Sequence, residues 1–371
     1  MKIIVTGGGT AGHINPAIAI AQRIRQQCPE AEILYVGADK GMESELAPRG
    51  GFRFEGIAAK GFRRRLGADT LKTLGTLFRS LGQAAALLRR ERPALVIGTG
   101  GYVCGPLVLL AALRGCPTLI HEQNAVPGAT NKILSRFVRT VCISYEDTEG
   151  AFRRAQRTVL TGNPVREEFA GLDRKACRQR LGVPEDAFLV VSTGGSGGAA
   201  ALNRAVKACF EKNRGRDIFW YHITGKNYYT GFMEGLSETG DAGSRNVLPF
   251  SHEMPCLLGA ADLAVSRAGA LILAELAASG VPSLLVPSPN VANRHQDHNA
   301  EVCAAAGMSR ILWERDLDGD RLWEAIDALR QQPETLAAMG AAARAMHPAD
   351  AAGRILDEAC RLVPGLGRRE G

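Results

Sequence analysis

The 371-residue sequence lacks any apolar run long enough to cross a membrane, the longest being LVLLAAL at 107–113. A glycine loop begins at Gly7, where the apolar core of a secretory signal peptide would lie. We therefore expect no signal peptide and a chain that stays in the cytosol.

Cysteine pairs are also lacking: the nine cysteines are scattered, and none belongs to a CxxC motif. This usage is typical of reduced thiols and provides no zinc framework. Hydrophobic residues make up 46% and charged residues 22%, which excludes a disordered chain. A net charge of +7 favours anionic partners, whether phosphorylated small molecules, a lipid surface or nucleic acid, without choosing among them.

Short apolar runs alternate with longer helical patterns along the whole chain. The first half contains KIIVT, EILYVG, ALVIGT, PTLIHE and TVCIS, and the second contains FLVVST, IFWYHIT, NVLPF, DLAVS and PSLLVP. Near-continuous apolar strands separated by helices predict α/β domains with doubly wound parallel sheets. Glycine and proline in the segment 160–169 mark a boundary, so we expect domains at 1–162 and 163–340. Residues 341–371 are predicted to form a C-terminal helix that is interrupted near Pro348 and whose packing the sequence leaves open.

The first glycine loop, TGGGTAGH, follows the strand KIIV. Gly7, Gly9 and Gly12 satisfy G-x-G-x-x-G and Asp39 ends the second strand, a pattern typical of NAD-dependent oxidoreductases. His13 counts against that interpretation, because its titratable ring would project from the start of the next helix into the crevice. We predict His13 as a candidate general base; the alternative is a packed or capping histidine.

Two further loops follow strands of the first half. GTGGYVCGP has Tyr102 at its tip, and HEQNAVPG contains Glu122 and Asn124. Ligands of open parallel sheets bind outside the carboxyl ends of the strands, so we expect these three side chains to approach His13. For Glu122 and Asn124, a loop or helix-cap role is the alternative.

The second half repeats the order of strand, glycine turn and helix in VVSTGGSGGAAALNRAV and again in ADLAVSRAGALILAELAASGVP. The repetition favours two nucleotide-type folds over one. Amides at the start of the later helix form an anion site beside Arg267, and Glu275 is placed to accept the hydroxyls of a ribose. The alternative for Glu275 is charge complementation of the helix N-terminus.

Two patterns that resemble metal sites have simpler explanations. His295 and His298 lack a third ligand. Asp316, Asp318 and Asp320 directly precede a helical segment, where capping accounts for them better. We expect no metal.

Taken together, these motifs resemble the MurG family nearly end to end and in family order. The matching segments are GGGTAGHINPA, KGFRRRL, GTGGYVCGP, HEQNAVPGATNK, TGNPVR, GGSGGAAALN, SRAGALILAE and HQDHNA. The resemblance implies two facing Rossmann-like domains, the glycosyltransferase B fold. It also implies an inverting, metal-independent transfer of N-acetylglucosamine from UDP-GlcNAc to the C4 hydroxyl of the muramyl residue of lipid I. The product is lipid II of peptidoglycan synthesis, and no cofactor is needed.

The same resemblance implies roles for each domain and for individual residues. The N-terminal domain takes the acceptor and membrane side, and the C-terminal domain takes UDP-GlcNAc. Catalytic positions are His13, Glu122 and Tyr102, and acceptor or loop positions are Gly100, Gly101 and Asn203. The predicted donor-binding positions are Thr10, Ala11, Gly12, Asn124, Arg166, Ser196, Ser251, Arg267, Ala270, Leu271, Glu275, Gln296 and Asn299. Gly197 and Ile272 depart from the family pattern, in the second loop and in the donor helix.

The family's acceptor carries a polyprenyl chain, so the resemblance implies a peripheral enzyme on the cytoplasmic side of the membrane and no nucleic-acid partner. The segment 60–93 suits an anionic leaflet, because it combines basic residues with apolar ones at helical spacing. The apolar residues are Leu71, Leu74, Leu77, Phe78 and Leu81. The alternative is that this stripe packs on the first sheet.

Three other functions stay open at this point. The fold also suits a UDP-N-acetylglucosamine 2-epimerase or a different UDP-sugar transferase, although GYVCGP and HEQNAVPG argue against both. An NAD-dependent oxidoreductase would use the first glycine loop. A non-catalytic UDP-sugar sensor would bind the donor without turnover.

Overall fold

The computed structural model describes residues 1–59, 68–169, 171–213, 218–234, 236, 245–346 and 350–367. The chain folds into two compact units: unit 1 is Met1–Arg166 with Pro348–Gly371, and unit 2 is Glu167–His347. The division after Arg166 falls within the segment 160–169, where glycine and proline mark a boundary in the sequence.

Unit 1 is built on one seven-stranded sheet. Its strands are β1 (Lys2–Thr6), β2 (Glu32–Ala38), β3 (Arg53–Ile57), β4 (Leu95–Gly98), β5 (Thr118–Glu122), β6 (Thr140–Ile143) and β7 (Thr158–Leu160). The helices between them are α1 (Ala11–Gln27), α2 (Glu43–Arg49), α3 (Ala68–Glu91), α4 (Cys104–Leu113) and α5 (Ala129–Leu134). All neighbours pair in parallel, in the order β3-β2-β1-β4-β5-β6-β7.

Both faces of this sheet are buried. Ile3 and Val5 of β1 pack with α1 in one core, whereas Ile4 packs with residues of α3 and α4 in a second core. A strand that is buried on both faces needs apolar residues at every buried position, which explains the continuous run IIV at 3–5. The prediction of a doubly wound parallel sheet is confirmed for this unit.

Unit 2 repeats the architecture with six parallel strands in the order β10-β9-β8-β11-β12-β13. The strands are β8 (Phe188–Thr193), β9 (Ile218–Ile223), β10 (Arg245–Leu248), β11 (Leu263–Ser266), β12 (Ser283–Leu285) and β13 (Ser309–Ile311). The helices are α6 (Arg174–Leu181), α7 (Ala200–Lys212), α8 (Tyr229–Glu234), α9 (Met254–Ala260), α10 (Ala270–Ser279), α11 (His295–Ala305), α12 (Gly319–Arg330) and α13 (Pro333–Met346). The second doubly wound domain is confirmed as well.

The end of the chain belongs to unit 1. Its helix α14 (Ala351–Leu362) buries Ile355, Leu356 and Ala359 in the core that also contains Ile24 of α1. The interruption that the sequence predicts near Pro348 is confirmed, because α13 ends at Met346 in unit 2 and α14 starts separately in unit 1. The new start has its own N-cap, because the Asp350 carboxylate accepts a hydrogen bond from Gly353 N at 2.9 Å.

A bidentate ion pair adds to this attachment. Arg157, directly before β7, donates from Nε and Nη2 to the carboxylate of Glu358 at 2.8 and 3.0 Å. Among the helices that the structure describes, none is long and apolar enough to cross a bilayer.

A buried carboxylate lies where α3 ends beside the first strands. Glu91 is 6% exposed and accepts hydrogen bonds from Arg90 at 2.9 Å, Lys2 at 3.1 Å and Arg53 at 3.1 Å. The bond from Arg90, followed by that from Lys2, lowers the pKa of Glu91 to about 2. The ionised form is therefore the one that the fold stabilises.

We predict that Glu91→Gln lowers the free energy of unfolding at neutral pH and that this effect fades in acid. Because the folded-state pKa lies below the ordinary value of 4.5, the carboxylate stabilises the fold above that pH, and its contribution is lost as the pH falls toward about 2. Urea midpoints of both proteins between about pH 7 and about pH 3 measure the difference. A constant gap between the two midpoints would contradict the prediction.

Candidate active site

The glycine loop after β1 meets the loop after β4 at the carboxyl edge of the unit 1 sheet, because these two strands are neighbours. Gly8 N donates to Gly100 O at 3.3 Å. Gly101 has a φ of +88°, and a Cβ at that position would lie 2.2 Å from Gly8 O. The close approach of the two loops therefore requires glycine at 101, and the predicted residues Gly100 and Gly101 shape it.

His13 lies in the first turn of α1, directly after the glycine loop. Its Nδ1 is 3.1 Å from Thr99 O and 3.1 Å from Gln123 Oε1. The Thr99 hydroxyl donates to His13 O at 2.7 Å and so ties the start of α1 to the end of β4. Because a carbonyl oxygen only accepts hydrogen bonds, Nδ1 carries the hydrogen, and Nε2 has the lone pair of the neutral ring.

Glu122, the last residue of β5, is 1% exposed, and its carboxylate accepts four hydrogen bonds. Oε1 accepts from the backbone and side-chain nitrogens of Asn124 at 3.0 and 3.1 Å. Oε2 accepts from Gly128 N at 3.0 Å and from Asn131 Nδ2 at 2.9 Å. These bonds fit the loop role that the sequence offers as the alternative for Glu122 and Asn124, and they give no support to Glu122 as a base.

Other predicted residues surround the start of α1 from the solvent side. Tyr102, in the loop after β4, is 54% exposed. Thr10 is exposed at the N-cap of α1, and its side chain makes no capping hydrogen bond there. Ala11 and Gly12 are half-buried in the first turn. The structure thus brings Tyr102 and these three positions to the same pair of loops that holds His13.

Glu43 is a residue of this site that sequence reasoning missed. It is fully buried at the start of α2, and its carboxylate accepts from Ala38 N at 2.9 Å and from Gly9 N at 3.4 Å. A dinucleotide phosphate at this loop would meet that carboxylate, which argues against the NAD interpretation. No sequence signal identifies Glu43, because the letters GMESEL read as a polar surface segment.

In unit 2, the second glycine loop connects β8 to α7. Gly198 has a φ of +72°, and a Cβ there would lie 2.3 Å from Thr224 O. Asn203, 5% exposed on α7, donates to the same carbonyl at 3.0 Å. The loop is held against the end of β9 in this way, while Ser196 and Gly197 are exposed.

Helix α10 follows β11, the strand next to β8, so that its start and the second glycine loop share one edge of the sheet. The first amides of an α-helix have no acceptor within the helix, and the N-cap Gly269 has no side chain to satisfy them. Ala270 and Glu275 are buried and Leu271 is half-buried. This arrangement is suited to holding an anion at the helix start.

Two predicted residues of α11 support that start. Asn299 is fully buried and donates from Nδ2 to Ala268 O, in the turn before α10, at 3.1 Å. Gln296 accepts from Ser288 N at 2.9 Å, which fixes the loop after β12. Both side chains therefore hold the backbone around the predicted donor site.

Arg267 has a different environment from the one that the sequence suggests. Its guanidinium donates to Val286 O at 3.0 Å and to Pro287 O at 3.3 Å, and it forms an ion pair with Glu314. The side chain is 9% exposed and binds neighbouring protein groups beyond the sheet edge. These contacts hold the ends of β11 and β12 together, and a ligand contact of Arg267 stays a prediction.

Two further predicted donor residues lie elsewhere in the chain. Arg166 is half-buried at the end of the first segment of unit 1. Ser251 is half-buried after β10, and its hydroxyl accepts from Glu253 N at 3.1 Å. Arg166 thus belongs to unit 1 and Ser251 to unit 2, and a donor contact of either residue stays a prediction.

One member of the acidic triplet Asp316, Asp318 and Asp320 has the capping role that the sequence predicts. Asp318 accepts from Arg321 N at 2.8 Å and is the N-cap of α12, which confirms that interpretation for Asp318. Asp316 and Asp320 form ion pairs with Arg321 and Lys212. Within the described ranges, no group of three His, Cys, Asp or Glu side chains is arranged as metal ligands would be.

Family models match both halves of the chain. The glycosyltransferase family 28 N-terminal domain matches residues 3–143, and the glycosyltransferase family 28 C-terminal domain matches residues 189–355. The crystal structure of Acinetobacter baumannii MurG is similar with a TM-score of 0.75 at 28% identity, over 96% of this chain and 98% of that one.

Curated relatives extend the similarity over the full length. The protein of Desulforudis audaxviator is 44% identical over 376 residues, which covers 100% of both chains. That of a Thermoanaerobacter species is 44% identical over 357 residues, covering 96% of this chain and 98% of its own. Both are named UDP-N-acetylglucosamine–N-acetylmuramyl-(pentapeptide) pyrophosphoryl-undecaprenol N-acetylglucosamine transferase. With its two parallel sheets in the glycosyltransferase B fold, the chain belongs to this family of transferases, the MurG family.

Proposed function

We propose that the chain transfers N-acetylglucosamine from UDP-GlcNAc to the C4 hydroxyl of the muramyl residue of lipid I, with inversion and without a metal. The reaction class follows from the full-length relatives and their names. The observation that carries the mechanism is the geometry of His13, whose Nδ1 faces Thr99 O and Gln123 Oε1. That geometry leaves Nε2 as an acceptor on the helix that opens the first glycine loop.

The proposed step moves one proton and exchanges one bond. Nε2 of His13 takes the proton of the C4 hydroxyl while that oxygen attacks the anomeric carbon of the donor. The bond between the anomeric carbon and the diphosphate oxygen breaks on the opposite face, so that the α-linked donor yields a β-1,4 bond. UDP leaves with the electron pair of the broken bond, and the imidazolium then releases its proton to solvent.

Glu122 is less suited to this role than His13. Its carboxylate accepts four hydrogen bonds and is 1% exposed, so a substrate hydroxyl would have to displace a donor of the loop. We therefore propose His13 as the base and Glu122 as the residue that holds the loop containing Asn124.

Charge on the departing UDP is proposed to be met by backbone amides in unit 2. The start of α10 and the second glycine loop lie at one edge of the sheet, and both offer N–H groups to an anion. Arg166 would add a positive charge. Preorganised amides and a helix dipole stabilise leaving-group charge without a metal ion. This assigns the donor to 163–340 and the acceptor to 1–162, as the resemblance implies.

The two departures from the family pattern do not remove this site. A Cβ at Gly197 would have nothing within 4 Å, so the exposed loop has room for the longer side chain that the family resemblance implies there. Ile272 is half-buried in the first turn of α10 and replaces a hydroxyl. Since backbone amides do not depend on either side chain, we propose that they carry the phosphate contacts.

Membrane association is proposed for one face of unit 1. Helices α3 and α5 both pack against α4, and large apolar side chains on these helices and in the segment directly after α5 are exposed. They are Phe78 at 71%, Leu113 at 63%, Ile133 at 57% and Phe137 at 41%. Exposed basic residues accompany them at Arg79, Arg114, Lys132, Arg136 and Arg139. Residues 60–67, which include the predicted basic run, and the side chains of 71–74, which include Leu71 and Leu74, lie outside the described residues.

Exposed apolar side chains that are accompanied by Arg and Lys residues suit the headgroup region of an anionic leaflet. This face therefore supports the proposal of a peripheral protein on the cytoplasmic side of the membrane, where a polyprenyl acceptor would be presented.

We predict that His13→Ala lowers kcat about 100- to 10,000-fold, because a positioned base typically contributes that much. UDP binding, measured by calorimetry, should stay near that of the unchanged protein, because the donor phosphates are assigned to unit 2. Glu122→Gln is the comparison. It should lower the melting temperature, whereas the protein that stays folded should keep most of its kcat. If folded Glu122→Gln instead loses as much kcat as His13→Ala, the base is Glu122.

We predict that UDP is released from UDP-GlcNAc only when a short-chain lipid I analogue is present, and at the same rate in EDTA. Loss of activity in EDTA, restored by a divalent cation, would contradict metal independence. UDP binding without release in the presence of acceptor would indicate the sensor, and nicotinamide absorbance changes would indicate the oxidoreductase. Anomeric coupling constants of the disaccharide product by NMR test inversion.

We predict that the chain co-sediments with phosphatidylglycerol vesicles more than with phosphatidylcholine vesicles and that salt weakens this binding. The double variant Ile133→Ser with Phe137→Ser should bind less. Met233→Ser is the matched control, since Met233 is a 39% exposed apolar side chain in unit 2. Equal binding by the double variant and the control would exclude this face.

A further inference from the structure

A chain of buried hydrogen bonds lies behind His13, and it begins at His121. The His121 ring is fully buried on β5, with Nε2 at 2.9 Å from Gly162 O. The hydroxyl of Ser144 is 3.3 Å from the same Nε2 and itself donates to Glu122 O at 2.9 Å. Two oxygens that are free to accept face Nε2, so Nε2 carries the hydrogen and Nδ1 of His121 is left as an acceptor.

Gln123 is the next member of the chain and is 1% exposed. Its Nε2 is 2.8 Å from Thr99 O, 3.1 Å from His121 Nδ1 and 3.2 Å from His121 O. Because all three neighbours are acceptors, this end of the amide is the NH2 group. The other end, Oε1, therefore points its acceptor at Nδ1 of His13.

We infer that Gln123, backed by His121, is a positioning residue that holds His13 with its hydrogen on Nδ1 and its lone pair on Nε2. The inference rests on the proposed role of His13 as the base. A neutral imidazole has one N–H and one lone pair, so the opposite tautomer would present a donor to the acceptor hydroxyl and could not take its proton. Loss of the group that fixes a histidine tautomer is costly in enzymes with catalytic triads.

The titratable groups around His13 leave this arrangement intact at neutral pH. Burial lowers the pKa of His121 to about 4, so that His121 stays neutral and its Nδ1 stays an acceptor. Glu122 is bound to its own loop, and Glu43 is bound to Gly9 N and Ala38 N. Tyr102 is exposed in the loop after β4.

The test compares two variants at position 123 with a charge control. Gln123→Glu keeps an acceptor at His13 Nδ1 and adds a negative charge that favours the imidazolium, so the acid limb of the kcat profile should move to higher pH by roughly one unit or more. Gln123→Leu removes one of the two acceptors at His13 Nδ1 and leaves Thr99 O, and it should lower kcat about 10- to 100-fold with little change in KM for UDP-GlcNAc. Gln179→Glu introduces the same charge at an exposed position of α6 and should leave the acid limb in place.

Ring 15N spectra of the histidines read the tautomer without reference to activity. The His13 signals are identified among the seven histidines by their loss in His13→Asn. The Nδ1–H form in the unchanged protein, together with a shifted acid limb in Gln123→Glu but not in Gln179→Glu, supports the inference. The Nε2–H form, or an acid limb of Gln123→Glu that coincides with that of the unchanged protein, overturns it.

The proposed function fails by a separate result. Full turnover by His13→Ala would remove His13 from the chemistry, whichever tautomer the spectra show. If neither variant at 123 folds, the Nε2–H form in the unchanged protein still overturns the inference, because the bonds from His13 Nδ1 to Thr99 O and Gln123 Oε1 require Nδ1–H.

Discussion

The residue on which the unit 1 site depends is Thr99, which directly follows β4. Its backbone nitrogen donates to Thr6 O at 2.9 Å, and its hydroxyl donates to His13 O at 2.7 Å. Its carbonyl accepts from His13 Nδ1 and from Gln123 Nε2. One residue thus connects the ends of β1 and β4, the start of α1 and the loop after β5. Because β4 ends at Gly98, the Thr99 carbonyl lies beyond the strand and accepts hydrogen bonds from side chains in place of a neighbouring strand.

The same local motif, a glycine loop between a strand and a helix, has different electrostatics in the two units. In unit 1 the carboxylate of Glu43 accepts from Gly9 N, so a loop amide already faces a negative charge. In unit 2, Ser196 and Gly197 are exposed, and the neighbouring helix α10 begins with an N-cap that has no side chain. An anionic ligand is therefore favoured at the second loop, and a neutral hydroxyl with a base at the first.

Periodicity and turn chemistry in the sequence predicted ten strand segments, the two parallel sheets and the loops that carry His13, Glu122 and the α10 start. They missed β3, β7 and β13, which are edge strands without a fully buried apolar run. Family membership followed from motifs whose order spans the chain. The hydrogen bonding of Glu122 could not be predicted, because the segment HEQNAVPG is compatible with a catalytic base and with a loop anchor. Only the structure shows the four hydrogen bonds that the carboxylate accepts. The burial of Glu43 and the orientation of the Gln123 amide also have no sequence signal, since both are set by groups that are distant along the chain. The packing of α14 on unit 1 is determined by tertiary contacts, because the amphipathic pattern of a helix does not specify which sheet the helix covers.

That packing means that the chain passes between the two units twice, once near 166 and once near 347. Unit 2 is therefore an insertion within unit 1, and a cut after Arg166 would strip α14 from the core that contains Ile24. A chimera that exchanges unit 2 between relatives must replace 167–347 as an internal segment with two junctions. An isolated unit 1, likewise, has to rejoin 1–166 to the C-terminal helix through a short linker.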